Sequence, residues 1–319
     1  MGMLNTGMLD TGMLNTKALL AGALCSLLAA GTASAADLKL KAPPPPPPAP
    51  AVDAVPMFGD FQLIDSDTNI RRGAFKIEEN ESPRPMDRVY FNYNYYSGVD
   101  TGSQKVNVQR ETIGFEKTFL DGNASIGVRL PFFQNLDAKD DTGDVTLIGK
   151  YAFYNDRKTG DVISAGVAIT PPTGNFSMGF DFTQLEKIHS TVVQPFVGGQ
   201  WMLGGGVFVQ GFSSLAIPTD DRDATFWFNS IALGYFMYRG GATNQVITGV
   251  IPTVELHLNT PTNHQDDGAP VKLDTIFDVT AGVHIEIYHN ALLGFAIGTP
   301  LTGPKPYDAE GIANFNFRF

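Results

Sequence analysis

Cysteine is nearly absent from this sequence: Cys25 is the only one in 319 residues, so no disulfide framework can form within the chain. Long apolar runs are equally scarce. The one uninterrupted stretch, Ala18 to Ala30, follows Lys17 and precedes Gly31-Thr32-Ala33-Ser34-Ala35. It is too short for a stable membrane-spanning helix, and its flanks are those of a secretory signal over residues 1–35, cleaved between Ala35 and Ala36. Cys25 lies inside that run behind the bulky Leu24, which argues against a lipoprotein cleavage site and a lipid anchor. The opening repeats Gly-Met-Leu-Asn-Thr and Gly-Met-Leu-Asp-Thr make Met13 an alternative start. Cleavage leaves a secreted chain without cysteine, which a closed network of backbone hydrogen bonds could hold. Basic residues are also few: 22 Lys and Arg stand against 33 Asp and Glu, a net charge of −11. Without clustered cations to neutralise phosphates, a nucleic-acid partner is excluded.

What the sequence does have is alternation. At its end Phe315, Phe317 and Phe319 take every second place, and Asn314, Asn316 and Arg318 fill the gaps. That is the period of a β-strand with one aromatic and one polar face, suited to a barrel wall between lipid and a wet lumen. From Arg88 onward similar segments recur between turn signals. Val89, Phe91, Tyr93 and Tyr95 oppose Asn92 and Asn94; Ile126, Val128, Leu130 and Phe132 oppose Ser125, Gly127 and Arg129. Leu147, Tyr151 and Phe153 are expected outward, with Thr146, Lys150 and Tyr154 inward. Val254, Leu256 and Leu258 oppose Thr253, Glu255 and His257, and Val279 to Ile287 repeats the pattern. The count is about twelve strands. Long connections (97–103, 133–143, 171–190, 217–225, 259–272 and 301–305) alternate with turns of a few residues, as in a transmembrane antiparallel up-and-down β-barrel over residues 86–319. An even count puts both termini on one side, the periplasm.

Ahead of the barrel, Pro43 to Pro48 and Pro50 mark residues 36–52 as a stiff polyproline spacer of about 25 Å, at roughly 3.1 Å per residue. Its Ala-Ala-Asp-Leu and Lys-Ala-Pro-Pro-Pro opening resembles the mature N-termini of rhizobial outer-membrane proteins. Two readings stay open for residues 53–85: a lumenal plug, with Arg71 and Arg72 against lumenal carboxylates, or a periplasmic cap.

Chemistry is expected on the inward face, at Arg110, Glu116, Arg129, Lys150, Glu255, His257, Asp278, His284, Glu286 and Arg318. These charges either line an aqueous path and set its selectivity or pair across the interior and fill it. No metal site is expected, because hairpin geometry separates Glu255/His257 from His284/Glu286 along the barrel. His189 and Ser190, adjacent in a long connection, suggest a hydrolase dyad without a visible supporting acid. The acidic loop clusters Asp137, Asp140, Asp141 and Asp144, and Asp220, Asp221 and Asp223, read as solvated loops, since Lys139 breaks a calcium-loop pattern.

The segment Gly143-Asp-Val-Thr-Leu-Ile-Gly-Lys-Tyr-Ala-Phe153, after Leu130-Pro-Phe, is similar to outer-membrane proteins grouped with meta-pathway phenol degradation, kin of the hydrophobic-solute transporters. That resemblance implies a monomeric barrel with an N-terminal segment in its lumen, passing small, often apolar or aromatic molecules. The Pro-rich lead and the Glu78 to Arg88 stretch depart from its pattern. The terminal Phe315, Phe317 and Phe319 resemble the signal read by the barrel assembly machinery. The expected function is passive uptake of small solutes across the outer membrane, without cofactor or catalysis. The expected surroundings are outer-membrane lipid and lipopolysaccharide. Alternatives are a structural barrel tethered to peptidoglycan by its Pro-rich arm, and a barrel-embedded lipid hydrolase.

Overall fold

A computed structural model describes residues 54–60, 62–64, 72–74, 76–100, 105–136, 139–175, 179–181, 186–240, 245–263, 273–303 and 305–319. The signal with its Ala35–Ala36 junction and the Pro-rich arm lie outside the described residues. Twelve strands build a closed sheet: β1 (Arg88–Asp100), β2 (Lys105–Phe119), β3 (Ala124–Leu136), β4 (Thr146–Asn155), β5 (Val162–Thr170), β6 (Val192–Gly204), β7 (Val207–Pro218), β8 (Phe226–Tyr235), β9 (Ile247–Pro261), β10 (Ile276–Ile287), β11 (Ala291–Pro300) and β12 (Ala309–Arg318). Each pairs antiparallel with its neighbours in sequence. The wall closes where β12 meets β1, with Phe315 opposite Phe91 and Arg318 opposite Arg88. Closure leaves no sheet edge, which a hydrocarbon surround requires.

Alternation decides which side chains face where. Along β2, Ile113 and Phe115 are exposed while Arg110, Thr112 and Glu116 are buried. The exposed set continues around the wall through Ile126, Leu147, Val197, Leu233, Val254, Phe295 and Ile297, the last 72% exposed. An apolar belt of this extent suits lipid rather than water. Aromatics gather at the end with the short turns: Phe115 stacks on Phe319 at 6.1 Å, Tyr154 on Trp201 at 5.8 Å, and the Lys117 ammonium lies 5.3 Å from the Phe319 ring. Amphipathic rings with a cation beside them are the usual furniture of a membrane interface.

The inner face solves a packing problem with glycine. Tyr90, Phe196, Phe212 and Phe208 point inward, and each lies directly across from a glycine on the next strand: Gly114, Gly166, Gly198 and Gly234. A Cβ at any of these glycines would come within 2.1–2.5 Å of the facing ring or of a backbone oxygen. The ring covers the gap in the neighbouring strand and pins the register.

Two local expectations are corrected. Tyr154 is 43% exposed and faces out, because the β4–β5 register shifts between Ala152 and Tyr154. An inserted residue flips the side chains beyond it. The connection 236–246 is also no tight turn: Tyr238–Arg239 folds back onto β9 opposite Val250 and Gly249. There Phe236 packs 5.3 Å from Phe208, and the Arg239 guanidinium lies 3.8 Å from the Phe236 ring.

Candidate functional site in the barrel lumen

Residues 54–60 and 76–86, ahead of β1, lie in the lumen. Ala54 to Asp60 and Lys76 to Met86 are buried against the inner wall, and between them Gln62–Ile64 and Arg72–Ala74 form a short hairpin. Arg71 and the side chain of Arg72 lie outside the described residues. The wall divides into three sectors, and this lead segment presents a matching group to each.

On β1 to β4 the wall is basic. Arg129 donates to the carbonyls of Lys76 and Ile77 at 3.3 and 3.1 Å and to Glu81 Oε2 at 2.7 Å. Lys150 donates to Glu81 Oε1 and to the Ser82 carbonyl, both at 2.7 Å. Arg88 lies 3.0 Å from Glu81, donates to the Asn80 carbonyl at 2.8 Å, and is held from the wall by Glu116 at 2.9 Å. Arg110 pairs with Glu79. Among these contacts, the four wall cations meet one wall carboxylate, Glu116, and two from the lead segment, Glu79 and Glu81.

From β4 to β8 the wall carries an apolar patch, set among buried polar side chains such as Gln194, Gln200, Gln210 and Ser214. Ile148, Ala168, Phe196, Phe212 and Ala232 pack with Met57 and Ile77 of the lead segment. On β9, β10 and β12 it is acidic, with Glu255, Asp278 and Glu310 buried. Glu255 accepts from the amides of Phe58 and Gly59 at 2.8 and 2.9 Å, and Lys76 pairs with Asp60. The Phe58 ring stacks on His284 at 4.0 Å. Gly282 and Gly294 clear the floor beneath it, since a Cβ on either would sit 2.6 or 2.8 Å from the Phe58 ring.

Burial by itself raises the Glu81 pKa, but the charges of Lys150, Arg88 and Arg129 outweigh it and hold the carboxyl far below its ordinary 4.5. A depressed carboxylate stabilises the folded form above its unfolded pKa and loses that contribution as pH falls through the folded value. Seating of the lead segment by Glu81 should therefore be independent of pH from 8 down to about 5 and weaken only in strong acid. Bilayer conductance against pH checks this; opening of the parent between pH 8 and 5 that Glu81→Gln replaces with conductance at every pH would contradict it. Glu78 behaves oppositely: burial pushes it up to about 7 against the opposing charge of Lys76.

No protein-family model and no curated protein matches this chain. Among solved structures, an outer-membrane channel from Pseudomonas putida F1 superposes with a TM-score of 0.51 at 14% identity, covering 74% of this chain and 96% of that one. The chain has an outer-membrane barrel fold. Lower similarities reach the KdgM porin, TM-score 0.44 at 10% identity over 73% of this chain and 99% of that one, and the NanC porin, 0.46 at 9% over 72% and 98%.

All ten expected inward residues lie on the inner face of this barrel. Arg110, Arg129, Lys150, Glu255, His257 and His284 touch the lead segment, and Glu116 accepts from the Met86 amide at 3.3 Å. Asp278 accepts from Asn259 at 2.7 Å, which also donates to Asp60 at 3.0 Å. Glu286 and Arg318 pair at 3.4 Å, apart from the rest. Sequence reasoning missed Arg88, Glu310, Lys76, Glu79 and Glu81. Extending the period-two pattern back from Arg318 would have found Glu310; nothing local marks Glu79 and Glu81 as lumenal.

At the end with the long connections, His189 Nε2 lies 2.8 and 2.9 Å from the two oxygens of Asp144, beside a cleft of about 550 Å³. The supporting acid absent from the sequence reading is there. Yet Ser190 Oγ has no hydrogen-bond partner among the described residues, so no relay forms. Asp144 instead ties connections together, accepting from the amides of Thr173 and Gly174 at 2.8 Å. Asp144 and Asp223, expected to be solvated, are 5% and 0% exposed. Asp223 accepts from the Ala224 amide at 2.7 Å, and Asn263 donates to its carbonyl at 3.3 Å.

Proposed function

We propose that this barrel is an outer-membrane channel for small solutes, apolar or aromatic ones among them, closed at rest by its own lead segment. The observation that carries the reading is the three-sector match in the lumen: Glu79 and Glu81 against the basic wall, Met57 and Ile77 against the apolar wall, Lys76 and the Phe58 and Gly59 amides against the acidic wall. Withdrawal of residues 54–86 would uncover a path with an aromatic side for the body of a solute and charged sides for its polar groups. The similar channel from Pseudomonas putida F1 supports the transport reading. The chain acts without covalent catalysis, a reading supported by the unpartnered Ser190.

In this reading the short-turn end with both barrel termini faces the periplasm, and the long connections face lipopolysaccharide outside. The exposed Phe315, Phe317 and Phe319 are offered to the assembly machinery.

Single-channel recording in a planar bilayer tests the function, comparing the mature protein with a version lacking residues 36–85. Steps of conductance from the truncated protein alone are expected. Equal conductance from both would remove the lead segment from the gate, and silence from both, after confirmed refolding, would sink an aqueous channel. Silence from both would favour a second reading, a purely structural barrel tethered to peptidoglycan, for which the dense pairing of Glu81 with Arg88, Arg129 and Lys150 speaks.

A further inference from the structure

Among the described residues, the acidic sector holds more carboxylate than its cations answer. Asp60 and Glu78 of the lead segment are buried beside His257 of β9, with Glu255 and Asp278 of the wall next to them. Among the described residues, four carboxylates face one ammonium, that of Lys76, which pairs with Asp60 and lies 5.2 Å from the Phe228 ring. Buried charge in excess is costly unless protons or another cation neutralise it.

Within this cluster one oxygen each from Asp60 and Glu78 and one ring nitrogen of His257 lie within 4.8 Å of one another. That spread can be spanned by two metal–ligand bonds of roughly 2.0–2.4 Å. Glu78 Oε2 and His257 Nε2 are buried and hold no hydrogen bond. The other atoms of the same side chains are tied in place. Ser230 Oγ donates to Glu78 Oε1 at 2.9 Å and lies 2.9 Å from His257 Nδ1, and Ser230 and His257 are direct cross-strand partners. His257 Nε2 is 3.6 Å from Glu255 Oε2, whose oxygens take the Phe58 and Gly59 amides. A hydroxyl and a carboxylate around the ligating side chains are what orients a metal site from outside.

We propose that Asp60, Glu78 and His257 bind a divalent transition-metal cation of the zinc type. One imidazole with two carboxylates suits zinc or cobalt; an all-oxygen set would suit magnesium or calcium. The bound ion would offset two of the surplus charges and clip the lead segment to β9, because two ligands come from that segment and one from the wall. Lys76 does not block it, since its contact is to Asp60 Oδ2, while Asp60 Oδ1 holds no hydrogen bond and lies 3.2 Å from His257 Nδ1. The site stands whether or not solutes pass through the lumen.

The test takes the full mature protein, stripped with a chelator, and titrates it with Zn²⁺ by calorimetry and with Co²⁺ by visible absorption. One saturable equivalent is expected, with a Co²⁺ spectrum showing nitrogen coordination. His257→Gln and Glu78→Gln should each weaken binding by at least about tenfold, while Glu286→Gln, in the lumen but outside the cluster, leaves it unchanged. Circular dichroism confirms that each variant keeps its sheet, and the Co²⁺ spectrum reports the imidazole directly in the unmutated protein. No stoichiometric uptake would overturn the proposal and leave the surplus carboxylates protonated. Equal uptake of Ca²⁺ and Mg²⁺ with no effect of His257→Gln would overturn it too, because the imidazole would then be no ligand.

Discussion

Replacing Glu81 by glutamine should open the lumen without deleting a residue. Glu81 is the shared partner of three buried cations: Arg129 and Lys150 at 2.7 Å and Arg88 at 3.0 Å. A glutamine of the same size keeps the packing and removes the charge. Breaking a buried pair from one side typically costs on the order of 3–5 kcal/mol, because the remaining charge stays desolvated. Here the cations need not stay desolvated: if the lead segment leaves, water reaches them. The cost would therefore appear as a shift of roughly two to four powers of ten toward the unseated form, each 1.4 kcal/mol being tenfold. Glu81→Gln channels should conduct in the bilayer where the parent is silent. Their Phe58 and Gly59 amides, held by Glu255 in the closed form, should exchange with deuterium faster. Adding Lys150→Gln should restore part of the closed population by removing one of the stranded charges. A Glu81→Gln protein as silent and as protected as its parent would show that the ion pairs do not hold the segment.

Arginine in place of Ile297 should destabilise the barrel by about 2–4 kcal/mol, the cost of a cation at the bilayer midplane on a lipid-facing strand. Ile297 is the most exposed of the large outward hydrophobics and stands midway along β11, between Ala281 of β10 and Gly311 of β12. Those small neighbours leave it surrounded by solvent or lipid rather than by protein. Arginine at Tyr288, in the short turn before β11, should cost only about 0–1 kcal/mol, since a side chain at the interface reaches water. Urea unfolding of the two variants in lipid vesicles measures the difference. Equal costs would mean that the belt around Ile297 does not meet hydrocarbon.

Much of the wall was legible because a strand's face alternation is local. A period of two can be read from a dozen residues without knowing what they pack against. It located all twelve strands and the inward orientation of residues as distant as Arg110 and Arg318; the alternation of long and short connections held apart from 236–246 and the first, where β1 and β2 run on to leave only 101–104, no longer than the turn 120–123. Where inward positions held glycine and phenylalanine together, as in β6 and β7, the signal faded. There it is the neighbouring strand that explains the residue: Gly198 is small because Phe212 lies over it. Tyr154 was misread for a related reason, since the shift that turns it outward exists only in the pairing of β4 with β5.

The lumen was far less legible. Glu81 and Lys150 are 69 positions apart, Phe58 and Glu255 197. No local periodicity joins them. Buried charges declare their partners only once the wall has curved them into one volume, where each must be paired because water cannot reach it. By itself the sequence determined a closed antiparallel wall with an apolar outside and a polar inside, because one strand dictates its own two faces. Only the tertiary structure decided that this inside gathers basic, apolar and acidic groups into separate sectors and that residues 54–60 and 76–86 of the chain's own lead pack against them. The position of a side chain around a barrel depends on the number and stagger of strands between it and its partner, which no single strand encodes.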